Sequence, residues 1–263
     1  MSGDPDELTR IRTRLKLTAV RDQLDTLLDE AARRQMSLRE TVAFLCAAEV
    51  ARKDERRIQM AQSIAKFPYL RSLEDFEFDA QPSVDPRQIR DLATGRWIAN
   101  GDALLVQGPP GVGKTHLAVG LGREAIRLGY SVLFIPACTL VTVLSKAQAD
   151  GRLEERLTHF AKPKLLIVDE LGYLPLEAHA GHLFFMLVSR RYERGSILIT
   201  SNRSVSEWGD IFNDALVATA ILDRLLHHSP VITIRGESYR LREKRRSGLI
   251  KPSPVVNEPQ APA

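Results

Sequence analysis

Hydrophobic and polar positions alternate along this chain in distinct regimes. Over the first 66 residues Leu8, Ile11, Leu15, Leu24, Leu27 and Leu28 recur at three- and four-residue steps with polar residues between them, which predicts about two amphipathic helices. Ser37 sits three residues before Glu40, the capping-box spacing, and the apolar run Thr41 to Val50 follows, so a helix is expected to start there. The tract Arg52-Lys53-Asp54-Glu55-Arg56-Arg57 continues it with a solvated, strongly basic face, and Phe67-Pro68 stops it.

From Leu73 to Gly101 the composition turns acidic and gains Pro82, Pro86 and Gly95, which predicts a linker with one short helix opened by Asp85-Pro86. Beyond it, short apolar runs alternate with helical stretches. Strands are expected at Ala103 to Gln107, Ser131 to Ile135, Leu165 to Val168, Ile197 to Thr200 and Val231 to Ile234. Helices are expected at Thr115 to Leu128, Thr139 to Ala149, Glu177 to Arg194 and Ala215 to Leu226. Strands with no polar face, each followed by a helix, imply a parallel sheet covered on both sides. The fold class is therefore α/β, a five-stranded parallel sheet with helices on both faces, preceded by a small all-α domain. The expected division is a helical module over residues 1–70 for DNA, partner or oligomer contacts, a linker over 71–100, the α/β core over 101–246 and a disordered Pro-rich tail over 247–263.

Composition narrows the class. A hydrophobic content of 44% with 27% charged residues is that of an ordinary globular protein and excludes disordered, collagen-like and disulfide-scaffold chains. Two cysteines, Cys46 and Cys138, are too few for a disulfide framework, so a reducing cytoplasm is expected. The longest apolar stretch, Ser131 to Leu144, contains Pro136 and falls short of the roughly 20 residues of a membrane helix. The net charge of +4 is unevenly spread. Residues 1–71 hold 14 Lys/Arg against 11 Asp/Glu, residues 101–234 balance at 13 each, and residues 235–263 hold 7 against 3. Basic ends around a neutral centre suit either a solvated surface or phosphate-contacting flanks.

Four motifs carry chemistry. Gly108-Pro109-Pro110-Gly111-Val112-Gly113-Lys114-Thr115 fits the phosphate-loop pattern at every fixed position and lies between an expected strand and an expected helix. Its glycines let backbone N–H groups point at phosphate oxygens, with Lys114 reaching the β and γ phosphates and Thr115 holding Mg²⁺. Asp169 and Glu170 follow a buried strand at its carboxyl end, where ligands bind in open parallel sheets; Asp169 is expected to hold Mg²⁺ and Glu170 to polarise the attacking water. Asn202, after the strand Ile197 to Thr200, is either a turn former or a group orienting that water. Arg224, beside Asp223 on an apolar helix, is either one half of a local ion pair or an arginine offered to a neighbour's γ-phosphate. His179 and His182 lie three apart but have no third ligand in view, and His227-His228 ends a helix, where cations are favoured.

Longer strings point to a family. Leu166-Ile167-Val168-Asp169-Glu170-Leu171-Gly172-Tyr173-Leu174-Pro175, Ser189 to Gly195, Thr200-Ser201-Asn202-Arg203, Leu222 to His228 and Arg235 to Arg242 together resemble the IstB family over nearly the whole chain. The resemblance implies an AAA+ ATPase of the ASCE type that assists the transposase encoded beside it in an insertion sequence, similar to DnaC helicase loaders and more distantly to DnaA-type initiators. It implies that Gly108 to Thr115 is Walker A, Asp169-Glu170 is Walker B, Asn202 is sensor 1 and Arg224 is an arginine finger. A finger acts on the adjoining subunit's ATP, so a homo-oligomer with ATP at subunit interfaces is implied. Arg240 resembles the late arginine of DnaC-like proteins that contacts nucleotide. Too few residues follow the last strand for the usual helical lid, so no C-terminal lid is expected. Leu73-Glu74-Asp75-Phe76 resembles the linker packed near adenine in initiator-type ATPases, although Phe76 and Phe78 equally suit plain packing.

The expected function is an ATP- and Mg²⁺-dependent helper that oligomerises on duplex DNA with little sequence preference and stimulates an IstA-like transposase. Two other readings stay open: a DnaC-like helicase loader on single-stranded DNA, and an adaptor controlled by ATP binding without hydrolysis.

Overall fold

The computed structural model describes residues 5–173, 178–227 and 229–239. The chain divides into two compact units, residues 1–61 and 62–263. Among the described residues no helix is long and apolar enough to cross a membrane.

The first unit is helical. Helix α1 spans Pro5–Arg14, α2 Thr18–Arg33 and α3 Leu38–Ala65. The Leu8 to Leu28 pattern is thus divided between two helices, because Lys16 takes a left-handed φ of 54° that ends the first. The capping box at α3 forms as its spacing implies: the Ser37 backbone N–H donates to Glu40 Oε2 at 2.8 Å and the Glu40 N–H to Ser37 Oγ at 3.4 Å. A second cap is not legible in the sequence. Glu49, 3% exposed, accepts the Ala19 N–H at 2.7 Å and the Val20 N–H at 3.4 Å, covering the donors at the start of α2. Burial pushes its carboxyl upward, but these backbone bonds and the nearby Lys53 outweigh that and leave it below the ordinary value.

The second unit opens with two short helices, α4 over Pro86–Ala93 and α5 over Arg96–Asn100, where the sequence predicts one. Asp85 caps α4 by accepting the Arg87 N–H at 2.8 Å. The five strands are β1 Ala103–Gln107, β2 Val132–Pro136, β3 Leu165–Leu171, β4 Ser196–Ser201 and β5 Val231–Thr233. They form one parallel sheet in the order β2-β3-β4-β1-β5. Helices α6 Lys114–Arg127, α7 Ala137–Ala149, α8 Leu153–Ala161, α9 Ala178–Arg191, α10 Trp208–Phe212 and α11 Ala215–Leu226 cover it. The sequence pattern does not place α8 or α10.

Alternate strand residues feed two layers. Leu105, Leu133, Ile135, Leu166, Val168, Ile197 and Ile199 join residues of α7 to α11 in one apolar cluster. On the other face Ile167 meets α6 so closely that a Cβ on Gly122 would lie 2.8 Å from its Cδ1. The expected end of β3 at Val168 needs correction. The strand runs to Leu171, but Val168 pairs with Ile199 and Leu171 with Ser201, so β3 carries one extra residue over that stretch. Glu170 absorbs it with a φ of 62°, a left-handed conformation that costs a non-glycine residue about 1 kcal/mol or more. The expected absence of a lid, the expected Pro-rich tail and Arg240 all fall outside the described residues.

Candidate active site

The phosphate loop joins the carboxyl end of β1 to α6. Gly113 caps α6 with a φ of 101°, and a Cβ there would lie 2.7 Å from the Phe76 ring. Gly111 has a φ of 82°, and a Cβ there would overlap Ser238 Oγ. Both glycines are therefore required by backbone conformation and by space. The Lys114 ammonium folds back and donates to Gly108 O and Pro109 O, each at 2.8 Å. Burial lowers its pKa, and the carboxylates of Asp169 and Glu170 oppose that shift.

Asp169 sits opposite, 5% exposed. The Thr115 hydroxyl lies 3.0 Å from both its carboxylate oxygens, and the fully buried Thr200 hydroxyl donates to its Oδ1 at 2.5 Å. Burial raises the Asp169 pKa; the bonds from Thr200 and Thr115 pull against that, and the charge of Glu170 adds to it. The Thr200 oxygen also accepts the Glu170 N–H at 2.9 Å, so one hydroxyl ties the two carboxylate residues together at the bulge. The Glu170 side chain is exposed. Thr200 belongs to the string Thr200 to Arg203, but only the alignment of β4 against β3 reveals its role.

Asn202 follows β4 beside the turn after Glu170; a Cβ on Gly172 would stand 3.2 Å from its Oδ1. That oxygen is buried and has no hydrogen-bond partner among the described residues. A hydroxyl, a backbone-lined loop, an ammonium, a buried carboxylate and an orphaned amide oxygen thus converge at the carboxyl edge of the sheet. Such oxygen donors suit Mg²⁺, and the loop's N–H groups with Lys114 suit phosphates.

Two flanking segments close on this loop. In the linker, Phe76 stacks edge-on with His116 at 5.3 Å and Phe78 at 4.9 Å between ring centroids, and His116 Nε2 lies 2.7 Å from Ser72 O. From the other side the Tyr239 N–H donates to Gly111 O at 3.0 Å while its hydroxyl donates to Glu77 Oε1 at 2.7 Å. The chain after β5 therefore crosses the loop and fastens to the linker.

Arg224 is elsewhere. Its guanidinium lies 4.5 Å from the Phe185 ring centroid and donates to Ala220 O at 3.0 Å, so its contacts are an aromatic face and its own helix. It lines a cavity of about 340 Å³ with Asp102, Ala103, Ile197 and Ser229, at the amino ends of β1, β4 and β5. The phosphate loop leaves the opposite end of β1, a strand length of roughly 17 Å away, so the chain does not bring Arg224 to its own loop. Deep in the same region Arg191, 1% exposed, donates to the carbonyls of Phe160, Ala161, Pro163, Lys164 and Ser196 at 2.6–3.2 Å. Burial pushes its pKa down to about 10. No sequence signal marks this role. Among the described residues no cluster of three His, Cys, Asp or Glu side chains could hold a metal, which leaves His179 and His182 without a third ligand.

Several known proteins are similar to this chain. The family model described as "IstB-like ATP binding protein" matches residues 11–247. A relative from Geobacillus stearothermophilus, named "Insertion sequence IS5376 putative ATP-binding protein", is 46% identical over 88% of this chain and 92% of its own. Its counterpart for IS21 from Pseudomonas aeruginosa is 41% identical over 93% and 92%. Among solved structures, the DnaC helicase loader aligns with a TM-score of 0.50 and 24% identity over 57% of this chain and 87% of that one. AMPPCP-bound DnaA from Aquifex aeolicus aligns at 0.52 and 21% over 73% and 59%. These two likenesses show a shared fold. With the family model covering most of its length and close relatives aligned nearly end to end, the chain belongs to the IstB-like ATP-binding protein family.

Proposed function

We propose that this protein hydrolyses ATP at shared subunit interfaces and, assembled on duplex DNA, assists the transposase of its insertion sequence. The observation that carries the reading is the division of the machinery between two edges of one sheet. Lys114, Thr115, Asp169, Glu170 and Asn202 gather at the carboxyl edge, while Arg224 lines a cavity at the amino edge. In this reading Lys114 exchanges the carbonyls of Gly108 and Pro109 for β and γ phosphate oxygens. Thr115 and Asp169 would hold Mg²⁺, which would supply positive charge to the phosphates. Glu170 accepts a proton from the attacking water, Asn202 Oδ1 orients that water, and Arg224 of an adjoining copy neutralises charge on the transferred group. Arg240 is assigned to nucleotide contact by resemblance only. The basic excess at both ends of the sequence supports phosphate-dominated DNA binding. The names of the insertion-sequence relatives support the transposase partner.

The test combines two inactive proteins. Glu170→Gln and Arg224→Ala are each expected to bind ATP and turn it over at under a tenth of the normal rate, while an equimolar mixture recovers turnover because some interfaces join an intact loop to an intact finger. No recovery, or loss of nucleotide binding by Arg224→Ala, overturns the shared site. Duplex DNA is expected to outcompete single-stranded DNA for the ATP-bound protein, with affinity falling steeply in salt; the reverse preference overturns the duplex reading.

A further inference from the structure

Helix α11 buries Ala218, Ile221 and Leu225, spaced three and four residues apart, in the apolar cluster. Arg224 stands beside that stripe, half-buried, where α11 packs on α9. Phe185 of α9 is partly buried against the same cluster, and the Arg224 Cζ lies 4.5 Å from its ring centroid, well inside the roughly 6 Å reach of a cation on an aromatic face. The bond to Ala220 O takes one of the five N–H donors of the guanidinium. The ring takes none, because stacking covers the plane and leaves the donor edge open. A second contact follows along the same two helices. The Tyr192 N–H donates to Val188 O at 2.9 Å and so continues the turn of α9, and the Tyr192 hydroxyl lies 3.2 Å from Nδ1 of His227, the residue that follows α11. Phe185, Val188 and Tyr192 thus form one stripe that runs past the last turn of α11. Arg224 and Tyr192 both line the cavity at the amino edge of the sheet.

An arginine side chain is long and flexible, and the freedom it loses on gripping a phosphate in the transition state subtracts from the rate. A ring face removes part of that freedom beforehand. A carboxylate in the same place would also fix the side chain, but it would occupy donors and cancel the charge that a phosphate needs. An aliphatic side chain would fill the space and orient nothing. We propose that Phe185 is a positioning residue for Arg224: its ring holds the guanidinium stacked and oriented at the amino edge, with donors free for a neighbouring copy's triphosphate, while Tyr192 steadies the end of α11 through His227. The inference rests on the reading that Arg224 acts on the adjoining subunit. It places Phe185 on the side of the interface that donates the finger, and Phe185 acts there through Arg224 and not by touching nucleotide. Its loss therefore falls on the chemical step and spares ATP binding, which takes place at the opposite edge of the sheet.

Full-length chains with Phe185→Leu, with Phe185→Tyr, and with trifluorophenylalanine in place of Phe185 test this. Leucine stays apolar but has no face; the fluorinated ring keeps the shape and withdraws the electrons that attract a cation, so it serves even if the leucine variant fails to fold. Both are expected to lower kcat for ATP about fivefold or more while KM changes less than about twofold, and Phe185→Tyr should hold kcat within about twofold of the parent. Without nucleotide, Arg224 of Phe185→Leu should react with phenylglyoxal about threefold faster than in the parent, read by mass spectrometry of the digest. Mixing identifies the side of the interface. Glu170→Gln should raise the turnover of Phe185→Leu, because it brings intact fingers to intact loops, whereas Arg224→Ala should not. Unchanged Arg224 reactivity, full kcat with the fluorinated ring, faster turnover once the ring is lost, or recovery with Arg224→Ala each overturns the proposal. If Arg224→Ala and Glu170→Gln recover each other while the Phe185 variants turn over normally, only the role of Phe185 falls; if that pair fails to recover, the shared site falls first.

Discussion

Replacing Thr200 by valine keeps the shape of the side chain and removes one hydroxyl, which makes it a clean probe of the link between Asp169 and Glu170. The hydroxyl donates to Asp169 Oδ1 at 2.5 Å and accepts the Glu170 N–H at 2.9 Å, with Thr200 fully buried. A hydrogen bond to a charged group contributes about 1.5–3 kcal/mol and an unpaired buried donor costs about 1–3 kcal/mol. The two share one atom and are not additive, so the expected loss is about 3 kcal/mol at neutral pH. The loss should depend on pH with a definite sign. Burial already raises the Asp169 pKa, and removing a donor raises it further in the folded variant. The carboxylate form is what the variant has failed to stabilise, so the difference from the parent is largest well above the Asp169 pKa and shrinks as pH falls through it. Urea unfolding at several pH values measures this. Turnover should fall tenfold or more, because Glu170 loses the bond that fixes its left-handed backbone, while ATP affinity changes less than threefold. Thr200→Ser should restore both. A valine variant within about 0.5 kcal/mol of the parent at neutral pH, with turnover within twofold, would refute the reasoning.

Three further outcomes follow from single contacts. Arg191→Met strips the donors from five carbonyls and should lower stability by about 4 kcal/mol, seen as a drop in thermal midpoint, with Arg191→Lys rescuing only part because an ammonium cannot reach all five. Glu49→Gln should destabilise the helical unit by about 1–2 kcal/mol near neutral pH. Since the folded Glu49 pKa lies below the ordinary 4.5, its contribution is complete above about pH 4.5 and disappears as pH falls through the folded value, so parent and variant should converge in acid when followed by helical circular dichroism. Gly113→Ala must take a φ of 101° and meet the Phe76 ring, so it should weaken ATP binding at least tenfold by fluorescence titration, and Phe76→Ala should recover part of that loss.

How much of the molecule is legible in its sequence depends on how local each signal is. The strands are legible because buried parallel strands read as apolar runs, and β1 and α11 fall on the residues expected for them. The phosphate loop is eight consecutive residues whose chemistry travels with their order. Helix α8 has a usable signal in Leu153, Leu157 and Phe160, but so short a stretch, with Glu154, Glu155 and Arg156 in succession, gives it little weight. The bulge at Glu170 is not legible, because it arises from the offset between β3 and β4 and not from any residue in it. Thr200 and Arg191 are hidden for the same reason: Thr200 acts on Asp169, and Arg191 on every carbonyl it meets except that of Ser196, across about thirty residues of chain. Asn202 stands between turn former and site residue in the sequence; its buried oxygen has no hydrogen-bond partner among the described residues, a feature that local pattern does not reveal.

The opposite placement of the phosphate loop and Arg224 on one sheet also sets a rule of counting. A contact joining the carboxyl edge of one copy to the amino edge of the next is head-to-tail, and an unclosed row of such copies always leaves one loop without a finger. Specific activity per chain would therefore rise with the length of the row and level off, and a closed ring would begin at the plateau. The dependence of turnover on protein concentration thus becomes a ruler for assembly length.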